Sequence, residues 1–443
     1  MNKVKKILLN QSYTKYLKNT SWAFGDKIIN LFFVFITNII VARYLGPESF
    51  GIIAYAMALI SIFSVATHLG LVGIVVKDIV TLPSQTHEIL GTVFYLKLFS
   101  SLIAFFILFL IALLTEELFT TNFYILLITS FIILLKPFEV IEFWFNAKIK
   151  LKYSSLAKIL SQIVSSIFKI LLVLLSMNII WFAFANLFQF IIITFSFVYI
   201  FKKYTNIELK HLSFSSEKAK MFFKRSWPLM LGTLFTLIYL KIDILMINHL
   251  LNSKQAGIYS VASSLSEIWY FIPTILVSSL FPKIVELKNK NNLQYKKRLQ
   301  QFYDLLFILS IVIAILTTIF AEGIINQLYG KEYIESSYVL QIHIWAGIFI
   351  FLRALFSNWI ILENIVIFSL ITQGIGCIIN VLLNLFMIPK YGIIGAAYAT
   401  LISYAIASYF SLLIHKSTRE AFYMMSKSFF TPIKYIINTK GSK

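Results

Sequence analysis

Charge is scarce in this sequence, and negative charge is scarcest. Only 13% of its 443 residues are charged, with 19 carboxylates against 39 lysines and arginines. A soluble domain carries about a quarter charged residues and is roughly half apolar. Here the apolar fraction is 59% and the mean hydropathy +0.83, so most of the chain must face lipid or its own helices. Cysteine is nearly absent: Cys377 lies alone in an apolar run, which excludes a disulfide framework. Catalytic signatures are lacking as well. There is no GxxxxGK[ST] loop, no HExxH pair and no GxSxG elbow, and the six histidines are scattered. No catalytic residue or metal-ligand set is therefore assigned, and the chain is not expected to be an enzyme. The formal net charge of +20 is a feature of nucleic-acid binders. The lysines, however, sit in short segments between apolar runs, which is topology information and no nucleic-acid footprint.

Apolar runs of roughly 20 residues, the length of a bilayer-crossing helix, recur throughout. They fall at about 22–42, 50–72, 90–114, 119–144, 155–176, 179–201, 226–248, 256–281, 302–321, 338–362, 366–388 and 393–415. The expected fold class is all-α integral membrane with about twelve transmembrane helices. The first run follows a polar, lysine-rich segment without a cleavage site and is expected to be retained as a span. Over the segments joining the runs, 28 basic residues fall on one side. Only Arg43, Lys254, Lys331 and Lys390 fall on the other. The basic side is read as cytoplasmic, which places both termini there. The external connections are short, the longest being Glu322 to Ser337, and leave no external domain for an active site.

A polar stretch at 202–225, expected to be a cytoplasmic connecting loop, divides the chain into six-helix lobes at 1–201 and 226–415, followed by a basic cytoplasmic tail at 416–443. The lobes look like repeats. Gly51-Ile52-Ile53-Ala54-Tyr55-Ala56 parallels Gly257-Ile258-Tyr259-Ser260-Val261-Ala262, and Asn178-Ile179-Ile180 parallels Gly392-Ile393-Ile394. The offsets are 206 and 214 residues. Six helices per repeat gives two halves in the same orientation.

Four stretches carry a family resemblance. They are Ala42-Arg43-Tyr44-Leu45-Gly46-Pro47-Glu48-Ser49-Phe50-Gly51; Ile242-Asp243-Ile244-Leu245-Met246 with Ala256-Gly257-Ile258-Tyr259; Leu328-Tyr329-Gly330-Lys331-Glu332-Tyr333; and Asn384 followed by Ile388-Pro389-Lys390-Tyr391-Gly392-Ile393-Ile394-Gly395. In this order and spacing the chain resembles the polysaccharide transporter family of the MATE-like superfamily, typified by Wzx O-antigen flippases. The resemblance implies two six-helix lobes around a central cavity, with helices 1, 2, 7 and 8 in its wall. It implies flipping of undecaprenyl-pyrophosphate-linked oligosaccharide repeat units across a bacterial cytoplasmic (inner) membrane. Glycosyltransferases and a polymerase of the same pathway would be partners, and a monomer would suffice.

Ionisable residues within spans cost roughly 2.5–3.5 kcal/mol each on insertion scales and normally face a cavity or a partner. Seven basic residues do so: Lys27, Lys97, Lys136, Lys158, Lys169, Lys241 and Arg353. Lys27 and Lys158 lie near span ends and suit snorkelling, and Lys136 suits an ion pair with Glu139 one turn on. Polar stripes at helical spacing mark helix 1 (Asp26, Asn30, Thr37), helix 2 (Ser61, Ser64, His68), helix 5 (Lys158, Gln162, Ser165, Lys169), helix 7 (Thr236, Tyr239, Asp243), helix 8 (Ser260, Ser263, Glu267) and helix 11 (Gln373, Asn380, Asn384). Such stripes also glue helices together. Taken with the resemblance, the candidate cavity set is Asp26, Lys27, Asn30, Lys169, Asp243, Glu267 and Arg353. Arg43 at the external turn is either a gate residue or a helix cap. Kinks are expected at Pro137 and Pro273. No cofactor is expected; coupling to protons or sodium through Asp26, Asp243 or Glu267 stays open. The rival functions are a MATE-type drug or organic-ion exporter and, more remotely, a membrane glycan polymerase or ligase.

Overall fold

A computed structural model describes residues 11–205 and 212–431. Within hydrocarbon every backbone N–H and C=O must be satisfied inside its own segment, and the described residues meet that demand with helices. In chain order these are α1 (Gln11–His68), α2 (Val72–Thr81), α3 (Thr86–Thr115), α4 (Thr121–Leu135), α5 (Val140–Ala147), α6 (Leu151–Leu174) and α7 (Ile179–Tyr204). They continue with α8 (Ser216–Leu250), α9 (Ser253–Glu267), α10 (Phe271–Lys290), α11 (Asn292–Leu328), α12 (Glu335–His343), α13 (Ala346–Leu362), α14 (Ile367–Ser408) and α15 (Arg419–Phe429).

Ten helical stretches among the described residues are long and apolar enough to cross a bilayer. Two of them, Phe24–Thr81 and Ile367–Leu413, each contain a break. Gly46 (φ 72°, ψ 171°) and Gly392 (φ 60°, ψ −145°) occupy backbone regions essentially reserved for glycine. Each break divides its stretch into two crossings, so ten stretches give the expected twelve. Outward-facing side chains such as Phe106, Phe195 and Phe386 are exposed and apolar, as a lipid-facing surface requires.

The chain forms two compact units. One comprises the segment ending at Gly46 together with Ala56–Leu234, around a core that includes Val75, Ile79, Val93, Phe145, Phe201 and Phe222. The other comprises Pro47–Tyr55 and the chain from Phe235, around Leu299, Tyr303, Leu306, Phe351, Leu355 and Phe356. The division therefore falls inside α8, and not within 202–225. That connection is largely helical, since α7 runs to Tyr204 and α8 starts at Ser216, while 206–211 lie outside the described residues. It is also tied into the first unit. Arg225 grips Asp78 with both Nη atoms (2.7 and 3.2 Å), Lys218 pairs with Glu88, and the Ser215 amide donates to Thr92 Oγ1 at 3.0 Å. Of the basic tail, Arg419–Phe429 is helical, and 432–443 lie outside the described residues.

The proline expectations resolve differently by position. Pro137 lies in a 3₁₀ turn, Lys136–Glu139, that separates α4 from α5. Pro273 enters the first turn of α10 after a 3₁₀ turn at Ile268–Tyr270. Pro228 and Pro282 sit inside continuous helices.

Candidate functional site

The first unit holds a chain of charges at membrane depth. Lys97 of α3 is fully buried, its Nζ 3.2 Å from Glu139 Oε2 and above the Phe143 ring. Lys136 meets the other oxygen of Glu139 at 3.0 Å and lies over Phe190. His68 Nδ1, at the end of α1, is 3.5 Å from the same carboxylate. Glu139, the last residue of the 3₁₀ turn Lys136–Glu139, thus meets side chains of both α1 and α3. One turn on, Glu142 pairs with Lys158 of α6, whose Nζ is also 3.8 Å from Asp26. Asn30 donates to Asp26, side chain to side chain and to the backbone carbonyl at 2.9 Å.

A third group seams α6 to α7. Gln189 Nε2 donates to Gln162 Oε1 at 2.7 Å, Ser165 donates to the Ala185 carbonyl at 3.2 Å, and Lys169 donates to Asn186 Oδ1 at 2.7 Å. Gln162, Ser165 and Lys169 of the stripe predicted on helix 5 thus face helix 6, while Lys158 faces Glu142 and Asp26. Lys27 is exposed, on a different face from its buried neighbour Asp26, and Arg43 is exposed three residues before the Gly46 break.

The second unit carries three separate networks. Lys241 donates to both oxygens of Glu267, at 3.0 and 2.7 Å, joining α8 to α9. Two residues on, Asp243 turns the other way into a buried cluster. Its carboxylate accepts from Asn384 Nδ2 (2.6 Å), from the Tyr259 hydroxyl (2.6 Å) and from the Thr400 hydroxyl. Asn380 Oδ1 accepts from Asn384 at 3.2 Å and Asn380 Nδ2 donates to Ser403, so α8, α9 and both halves of α14 converge on one carboxylate. Asn384 Oδ1 is buried without a hydrogen-bond partner. Arg353 is buried as well; it donates to the Ala407 carbonyl at 2.9 Å and Thr372 Oγ1 at 3.1 Å, across α13 and α14.

Of the seven predicted cavity residues, Asp26 and Asn30 are brought together. Asp243, Glu267 and Arg353 occupy three different networks of the second unit. Sequence reasoning did not select Lys97, Glu139 and Glu142, though their charge inside apolar runs was the available signal. Tyr259 is marked only as part of the stretch Ala256-Gly257-Ile258-Tyr259, and Thr400 carries no signal, because threonine does not stand out in a membrane helix. Among the described residues no group of three His, Cys, Asp or Glu side chains could hold a metal. The Asp243 cluster offers one carboxylate with neutral amide and hydroxyl oxygens, a donor set for a proton or a small hard cation and not for a transition metal.

Comparison with known proteins gives this architecture its relatives. The chain aligns with the probable flippase AglR of Haloferax volcanii at 27% identity over 184 residues, covering 40% of this chain and 38% of the relative. Among curated relatives the matched stretch covers between 38% and 57% of the relative's length. In fold it is similar to the lipid II flippase MurJ in an inward closed conformation (TM-score 0.70, 18% identity, 95% of this chain and 93% of that one). It is also similar to an inward-facing multidrug resistance MATE family transporter (TM-score 0.64, 15% identity, 90% and 96%). The family model for polysaccharide biosynthesis proteins matches residues 40–338, about two thirds of the chain, and the chain belongs to that family.

Proposed function

We propose that this protein flips lipid-linked oligosaccharides, moving undecaprenyl-pyrophosphate-linked repeat units from the cytoplasmic to the outer leaflet of a bacterial cytoplasmic membrane by alternating access. The observation that carries this reading is the lysine excess at membrane depth in the first unit. Lys97, Lys136, Lys158 and Lys169 stand against Asp26, Glu139 and Glu142. Lysine is costly in hydrocarbon, and its retention there suits an anionic cargo. A lipid pyrophosphate with a glycan attached is anionic, polar and bulky, and cannot cross the bilayer core unaided. Lysines lower the cost of its phosphates, while amide side chains such as Asn30 and Asn186 suit sugar hydroxyls. Two negative charges carried outward across the whole of an inside-negative potential move downhill by about 4.6 kcal/mol per 100 mV, so no nucleotide is required.

The Asp243 cluster supports an added element, coupling to a proton or sodium ion. A carboxylate surrounded by neutral donors exchanges a cation more readily than one locked to a lysine, as Glu267 is. The exporter alternative rests on the fold alone.

The test is a proteoliposome assay with a fluorescent polyprenyl-pyrophosphate oligosaccharide and a membrane-impermeant quencher. Movement of this probe but not of a cationic dye supports the proposal. Movement of the dye alone overturns it.

A further inference from the structure

We propose that the face formed by α11 and α15 in the second unit binds the phosphate headgroup of an anionic glycerophospholipid in the surrounding leaflet. α11 has 37 residues, about 55 Å at 1.5 Å per residue, and so outruns a hydrocarbon core of about 30 Å. Its basic N-terminal turns project beyond the apolar part, and α15 is fixed against them. Gln300 Nε2 donates to the Met424 carbonyl (2.9 Å) and Ser428 Oγ (3.0 Å), and Ser428 donates to Asp304 at 2.6 Å. Between them lies an open cavity of about 860 Å³ with Lys296, Lys297, Lys416, Arg419 and Lys427 on its walls. One carboxylate, Glu420, is also there, and Lys296 takes it at 2.7 Å. Among the described residues Arg419 spends its Nε on the Leu413 carbonyl and makes no ion pair.

Among the described residues the ammonium groups of Lys297, Lys416 and Lys427 face no carboxylate partner. Like charges held this close repel one another, and an anion in the cavity reverses that energy. Apolar groups on the same segment choose the source of the anion. Phe410, Ile414, Tyr423 and Phe430 are exposed beside the basic groups, the composition of an element lying in the headgroup boundary. A soluble phosphate would use the lysines and leave these side chains in water; a lipid uses both.

The full-length protein, reconstituted in nanodiscs of phosphatidylcholine with and without phosphatidylglycerol, provides the test. The variant carries K297Q, K416Q and K427Q, which spare the Lys296–Glu420 pair holding α15. A control carries K202Q, K203Q and K220Q, the same charge loss in the first unit. The expected result is retention of phosphatidylglycerol by the wild type and control, with affinity roughly a hundredfold weaker in the cavity variant, each cation contributing about tenfold or less. The wild type should also gain thermal stability from phosphatidylglycerol, and the cavity variant should not. Equal loss in the control, or no loss in the cavity variant, overturns the proposal. Displacement of the lipid by inorganic pyrophosphate at equal concentration overturns the lipid source in favour of a free phosphate anion.

Discussion

Gly51 and Gly257, 206 residues apart, meet backbone to backbone in a reciprocal crossing. A Cβ on Gly51 would overlap the Ser253 carbonyl, and one on Gly257 would overlap the Pro47 carbonyl. Pro47 and Ser253 are themselves 206 residues apart. The two helices, one starting after Gly46 and the other capped by Asn252, therefore use equivalent positions of the repeat against each other, as in a two-fold interface within one chain. The offset of 206 read from the sequence recurs in the pairs that meet at this crossing.

At that crossing any side chain meets backbone, which cannot swing aside. Gly257→Leu should force the helices apart at about 1–3 kcal/mol or more and abolish transport at unchanged membrane abundance. Gly25→Ala, where a Cβ meets nothing, serves as the neutral control. Full transport by both variants would show that the crossing can open without consequence.

Glu139 holds Lys97, Lys136 and His68 at once. Glu139→Gln strands the fully buried Lys97, and loss of one partner of a buried pair costs about 3–5 kcal/mol. A thermal melt in detergent should show a marked fall in Tm, with recovery on adding Lys97→Met. A fall without recovery would assign the loss to something other than the stranded charge.

Asp243→Asn keeps the size of the side chain and removes its charge. Transport by the wild type should vary with either pH or sodium concentration, and the variant should lose that dependence while Glu267→Gln keeps it. An unchanged ion profile in Asp243→Asn would remove the cluster from the coupling account.

Lys169 and Asn186 form a hydrogen bond that links α6 to α7. If Lys169 meets the cargo's phosphates, Lys169→Gln should cut glycan transport by about tenfold, the worth of one charge-assisted contact of about 1.4 kcal/mol, with Tm nearly unchanged. A fall in Tm with normal specific transport would make Lys169 a packing residue only.

Much of this was legible in the sequence because a bilayer imposes few solutions. Apolar run length gave twelve crossings, and the offsets of 206 and 214 located the corresponding turns. Gly46 and Gly392 were visible at the boundaries between runs, and their backbone geometry makes those boundaries sharp. The local pair Lys136–Glu139 was legible because both partners lie on one turn. Contacts across the fold were not. Nothing in the spacing reveals that Thr400 reaches Asp243 over 157 residues, or that Lys97 reaches Glu139 over 42. The 202–225 connection reads as a loop because its charges break hydropathy, yet Lys218 and Arg225 tie its helical part to Glu88 and Asp78. Hydropathy reports what a residue avoids; its partner depends on packing.

Leaflet-resolved glycan labelling in cells after the gene is shut off tests flipping most directly. Undecaprenyl-linked repeat units should accumulate on the cytoplasmic side while surface glycan disappears. Normal surface glycan together with altered sensitivity to cationic drugs would contradict flipping.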